Sequence, residues 1–144
     1  MSRDTSTRTL SFQVSGLPPV RTEALSIFSA GHRQANRVRA LLEAACAAAQ
    51  DSGWTPLTEA IELDLVLHCP PGHHGTDAAT LLGGVGAVLQ DKRHAVNIGL
   101  AHLGALVDVK LYLDNRQIRR LSFREEPAET TSYEVRVAAI PAAG

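Results

Sequence analysis

The stretch Ala60-Ile-Glu-Leu-Asp-Leu-Val-Leu-His68 places Ile61, Leu63, Leu65 and Leu67 at every second position, with Glu62, Asp64, Val66 and His68 between them. Successive side chains of a strand point to opposite faces, so this spacing predicts a strand with one apolar and one largely polar face. Pro70, Pro71 and Gly72 end it. The loop His73-His74-Gly75-Thr76 leads to Asp77, which sits where a helix N-cap would sit. From there Leu81, Leu82, Val85, Val88 and Leu89 recur with helical spacing and predict a helix over Ala78 to Gln90. A one-sided strand running into an amphipathic helix predicts a sheet with helices packed on it.

Upstream, Leu10, Phe12 and Val14 alternate with Ser11 and Gln13, a first strand that stops at Ser15-Gly16 and is closed by Pro18-Pro19. Residues 20 to 31 are irregular. A helix then covers His32 to Asp51, with Val38, Leu42, Ala45 and Ala49 on one stripe and Gly53 as its stop signal. Arg33, Asn36 and Arg37 share a face of this helix. Downstream, Asp91 to Leu106 carries Lys92, Arg93 and His94 and reads as a lid or a connector. Val107, Val109, Leu111 and Leu113 alternate as a third strand that ends at Asp114-Asn115. A fourth covers about Gln117 to Arg124, an acidic turn follows over Glu125 to Thr131, and Tyr133, Val135, Val137 and Ala139 mark a fifth. The predicted fold class is α+β, a mixed sheet of four to five strands with two main helices on one face. Residues 1–144 form one domain, with 1–8 and 141–144 read as frayed ends.

The chain has 144 residues, 44% of them apolar and 20% charged, which suits a single folded domain with its own core. Aromatic residues make up only 4%, a poor supply of base-stacking rings. No apolar run approaches the length of a membrane span and Met1 to Thr9 is polar, so neither a membrane nor a targeting segment is expected. Cys46 and Cys69 suggest no disulfide framework, and a reducing cytoplasm is the expected location. The net charge of −1 is unevenly spread: residues 1–40 carry +4, residues 41–91 carry −7 and residues 92–144 carry +2. A polyanion would therefore meet the ends of the chain before its middle, although the pI of about 6.6 is not that of a strongly basic domain.

Three positions stand out: Asp77 at the loop-to-helix junction, and Asp114 with Asn115 at a strand end. Carboxylates converging from such places can hold a hard divalent cation for phosphodiester hydrolysis. The same residues also serve as a helix cap and a turn between strands. His68, Cys69, His73, His74 and Asp77 lie within ten residues, but their spacing fits no standard zinc pattern, and strand alternation sends His68 and Cys69 to opposite faces. Gly83, Gly84 and Gly86 lack a following Gly-Lys-Ser/Thr; Gly83, Gly86 and Ala87, with Ala79 one turn earlier, read as a small-residue stripe for close helix packing. Arg33, Arg37, Arg116, Arg119, Arg120 and Arg124 are the candidate phosphate contacts, or else part of a solvated charged surface. No serine or cysteine sits in a nucleophile elbow.

The stretch Leu67-His-Cys-Pro-Pro-Gly-His-His-Gly-Thr-Asp-Ala-Ala-Thr-Leu81, followed by a helix and then by Leu111-Tyr-Leu-Asp-Asn-Arg-Gln-Ile118, resembles the RusA-type Holliday junction resolvases, crossover junction endodeoxyribonucleases. In that family a Pro-containing basic loop precedes an Asp-x-Asp-Asn motif that opens a helix, and an acidic pair at the end of the next strand precedes a Gln. The strand and Leu-Pro-Pro of Leu10 to Pro19 are similar to the family's N-terminus. Transferred to this chain, the motif's first Asp is Asp77, its second falls on Ala79 and its Asn on Thr80; the basic residue of the helix falls on Gly83, and the acidic pair on Asp114 and Asn115. The loop Gly72 to Thr76 has no Arg or Lys.

The resemblance implies a RusA-like fold, a homodimer, Mg²⁺ held by Asp77 and Asp114, no organic cofactor, and a catalytic remnant of Asp77, Asp114 and Asn115. With two family acids replaced, it implies impaired cleavage and structure-selective binding of DNA junctions in recombination or repair. The alternative expectation is a protein-interaction module on the same scaffold. A third is an active nuclease that recruits Asp91 or Asp108 in place of the missing acids.

Overall fold

The computed structural model describes residues 8–19, 35–72, 77–90, 106 and 108–141. The chain runs β1 (Thr9–Ser15), α1 (Ala35–Ser52), β2 (Ile61–Cys69), α2 (Ala78–Leu89), a single 3-10 turn at Asn115–Gln117, β3 (Ile118–Pro127) and β4 (Ser132–Ala139). The strands form one sheet in the order β1-β4-β2-β3. β4 is antiparallel to both β1 and β2, and β2 is parallel to β3, so β1, β2 and β3 all point the same way.

The alternation in β2 is realised residue by residue. Ile61, Leu63, Leu65, Leu67 and Cys69 are fully or almost fully buried, while Glu62, Asp64, Val66 and His68 are half-exposed on the other face. Leu10 and Val14 of β1 and Tyr133, Val135 and Val137 of β4 join the buried face. Val38, Leu41, Leu42 and Ala45 of α1 and Leu81, Leu82, Val85 and Val88 of α2 complete the same core. Both helices thus cover one face of a mixed sheet, and among the described residues no helix lies on the opposite, open face. Burial of each large aliphatic side chain contributes about 1.5–3 kcal/mol, enough in sum to hold the helices down.

α1 ends where Gly53 predicts. Its φ of +66° suits the left-handed cap, and the Trp54 N–H donates to the Ala49 carbonyl at 2.9 Å, closing the last turn.

The third predicted strand does not form. Of its residues, Val107 lies outside the described part, and 109–113 contribute only an isolated parallel bridge between Leu57 and Tyr112. Leu111 and Tyr112 are both fully buried, which a strand alternating between two faces does not allow. The backbone is already engaged elsewhere: the Leu111 N–H donates to the Leu89 carbonyl at 2.9 Å, and the Leu111 carbonyl accepts from the Leu57 N–H at 3.0 Å. It also accepts from the Trp54 indole at 3.1 Å. The segment braces the end of α2 against the start of β2. The predicted acidic turn is also shorter than expected, since Glu125, Glu126 and Pro127 extend β3. The irregular segment 20–31, the first predicted turn of α1 at 32–34 and the connector 91–105 lie outside the described residues.

Candidate functional site

α2 fixes the relation between the two principal acids. Asp77 caps its N-terminus, with Oδ1 accepting the Thr80 N–H at 3.0 Å. Hydrogen bonds from Thr80, side chain first and backbone second, hold the Asp77 carboxyl below its usual range. Asp114 lies at the other end of the helix. The neighbouring Asn115 N–H donates to Oε1 of Gln90, the C-cap of α2, at 3.0 Å. Thirteen residues of helical rise, about 20 Å, separate Asp77 from that cap. The two carboxylates do not converge within one chain.

Asp114 is occupied locally. Its Oδ1 accepts from the Arg116 N–H at 2.8 Å and from Nε of the same residue at 3.2 Å, and its Oδ2 accepts from NH2 at 3.1 Å. Gln117 closes a capping box by accepting the Asp114 N–H on its side chain at 2.8 Å. Asn115 faces the helix instead of solvent. Its Oδ1 lies 3.5 Å from the Tyr112 hydroxyl, which is fully buried and donates to the Gly86 carbonyl at 2.7 Å. Burial pushes the Tyr112 phenol well above its usual range. Of the predicted small-residue stripe, Gly86 and Ala87 are buried, Gly83 is half-buried and Ala79 is exposed.

Four of the six arginines meet at one edge of the sheet. Arg116, Arg119, Arg120 and Arg124 lie on β3 or in the turn that opens it, and all are exposed. Arg116 is paired with Asp114, and Arg124 Nε with Glu126 at 2.8 Å. Arg119 and Arg120 make no ion pair among the described residues. A register shift between Ile61 and Glu62 leaves Arg119 as the extra residue, with Ile118 opposite Ile61 and Arg120 opposite Glu62. Arg37 sits apart, on α1, which packs over β1 at the other edge. Burial raises the pKa of the Tyr133 phenol and the charge of Arg37 partly opposes it. Arg33, His73, His74 and Asp91 lie outside the described residues, and Asp108 is exposed.

The open face holds a polar group that spacing along the chain does not reveal. Asp64 of β2 accepts from the Ser122 hydroxyl of β3 and from Arg136 NH1 of β4, the latter at 2.6 Å. Arg136 also lies 3.6 Å from Glu62. His68 Nε2 is 2.7 Å from Glu134, and its Nδ1 is 3.7 Å from Glu126. Of these, Asp64, Ser122, Glu134 and Arg136 line part of a concavity of about 560 Å³. His68 and Cys69 do face opposite ways: Cys69 is buried, its thiol donating to Glu125 at 3.5 Å. Among the described residues no three of His, Cys, Asp and Glu come together to hold a metal ion. No helix among them is long and apolar enough to cross a membrane.

Compared with known proteins, the chain matches no family model and no curated protein.

Proposed function

We propose that this chain is a nucleic-acid-associated protein on a RusA-type scaffold, acting as a homodimer that selects branched DNA, with phosphodiester cleavage weakened or lost. The observation that carries the reading is the pair Arg119 and Arg120: both are exposed, close behind Asp114, and neither has a carboxylate partner among the described residues. Uncommitted guanidinium groups suit bidentate pairing with phosphate. Asp77 and Asp114 do not fit a shared Mg²⁺ within one chain, because α2 stands between them and Ala79 and Asn115 add no negative charge. The reading therefore assigns recognition, and no cleavage step, to the single chain.

A competition gel shift of a four-way junction against linear duplex, with Mg²⁺ and at low and moderate salt, tests it. The expected result is junction preference that weakens steeply with salt and is reduced by Arg119→Ala. Absence of binding at micromolar protein overturns it.

One observation favours the second reading, a protein-interaction module. Glu62, Asp64, Glu126 and Glu134 interleave with Arg124 and Arg136 on the open face, a mixed-sign surface from which a polyanion gains little.

A further inference from the structure

We infer that the free edge of β3 is the docking site for a second copy of this chain, with the two β3 strands antiparallel and centred on Phe123. β3 is the last strand of the sheet and runs for ten residues, and beyond it no strand lies among the described residues. An uncovered edge of that length presents a row of backbone groups ready to pair with another strand. The apolar face also runs out to this edge. Leu121 lies opposite Leu63 and Phe123 opposite Leu65, on the side that the helices cover elsewhere. Yet Leu121 is 55% exposed, the single large exposed hydrophobic residue among those described.

Charge selects the partner. The first half of β3 carries Arg119 and Arg120, and the second half carries Glu125 and Glu126 beside Arg124. A parallel copy would set like against like, whereas an antiparallel copy sets base against acid. A twofold axis normal to the sheet keeps each face in register, so the pair can centre on Ser122 or on Phe123. Centring on Ser122 sets Arg119 against Glu125 and Leu121 against Phe123, but it puts Arg120 opposite Arg124 of the second copy, a repulsive contact on each side of the axis. Centring on Phe123 puts Arg120 opposite Glu126, Ser122 opposite Arg124, Leu121 opposite Glu125, and Phe123 against itself. The other edge, β1, has the sequence Thr-Leu-Ser-Phe-Gln-Val-Ser and carries no such code.

One consequence rests on the homodimer reading above. Asp114 precedes β3, whereas β3 ends beside β2, where the Ala128 N–H donates to the Cys69 carbonyl, at the end of the sheet from which the chain leads into Asp77. Antiparallel pairing exchanges those ends. The Asp114 end of one copy comes level with the Asp77 end of the other, twice per dimer.

The test uses the full chain in sedimentation equilibrium. Wild type is expected to be a dimer, and Arg120→Glu and Glu126→Arg are each expected to raise the dissociation constant at least about tenfold. Mixing the two variants in equal amounts restores the dimer, because each base again faces an acid; circular dichroism confirms that both remain folded. Phe123→Cys, whose fold is checked the same way because Phe123 packs against the core, adds a register check, since mild oxidation should link two copies through residue 123 and leave Ser122→Cys unlinked. A monomeric wild type, or variants that stay monomeric when mixed, overturns the pairing. A dimer that ignores junction DNA upholds the pairing and sinks the proposed function, whereas a monomer that binds junctions overturns the pairing and leaves junction recognition to the single chain.

Discussion

The side-chain amide of Gln117 donates to the carbonyl of Leu57 at 2.8 Å, joining residues 60 positions apart. The same nitrogen donates to the Glu59 carbonyl at 2.9 Å, while Oε1 accepts the N–H groups of Leu113 and Asp114, each at 2.8 Å. One side chain thus fixes the approach to β2, the brace at 109–113 and the turn that opens β3. Gln117→Ala leaves these partly buried groups without their partner and is expected to lower stability by about 2–3 kcal/mol. Urea unfolding should show a lower midpoint with the slope unchanged. A loss below about 0.5 kcal/mol would mean that water replaces the amide at no cost.

Two glycines of α2 should respond oppositely to alanine. A Cβ at Gly83 meets nothing within 4 Å, so Gly83→Ala should stabilise by about 0.5–1 kcal/mol through helix propensity. A Cβ at Gly86 would lie 3.3 Å from Asn115 Oδ1 and 3.4 Å from Ile118 Cδ1. Both neighbours are held in place by the turn at Asn115–Gln117 and by β3, so Gly86→Ala should cost about 1 kcal/mol net. Thermal unfolding of the two variants decides it, and a gain at Gly86 would show that this contact yields.

Two buried phenols make a second contrasting pair. The Tyr112 hydroxyl donates to Gly86, whereas the Tyr133 hydroxyl is buried with no hydrogen-bond partner among the described residues. Tyr112→Phe should therefore cost about 1–2 kcal/mol, because the Gly86 carbonyl loses its side-chain donor. Tyr133→Phe removes an unpaired polar atom and should be neutral or stabilising by up to about 1 kcal/mol. Equal losses in denaturant titrations would mean that Tyr133 has a partner, such as a buried water.

These contrasts also mark what a linear reading can reach. β2 was legible because its burial follows sequence parity, and the caps Asp77 and Gly53 were legible because capping is local chemistry. The segment 107–113 was not. Its apolar alternation imitates a strand, but the outcome depends on Leu57, Leu89 and Gln117, whose approach only the tertiary fold creates. The Asp64 group was hidden for a related reason: Ser122 and Arg136 reach Asp64 across 58 and 72 positions, through a register that no single strand encodes. Asp77 and Asp114 look like neighbours when read as a loop end and a strand end. The length of α2 keeps them apart.

Asp77 gives the chain a pH signature with a defined sign. Its carboxyl titrates lower in the folded protein than in the unfolded chain, because Thr80 donates to the charged form. The unfolded state therefore binds the proton more readily, and the cap contributes stability above the ordinary aspartate pKa that is lost as pH falls through the lowered folded value. Asp77→Ala should unfold at lower urea than wild type near neutral pH, and the gap should narrow as pH falls below the ordinary aspartate range and wild type loses its own charged cap. Asp77→Asn retains an acceptor oxygen without the charge, so its midpoint should lie between the two at neutral pH and gain on wild type in acid. Urea midpoints of the three proteins between about pH 7 and about pH 3 provide the check. If the gap between wild type and Asp77→Ala is as wide in acid as at neutrality, the carboxylate charge does not act through the cap.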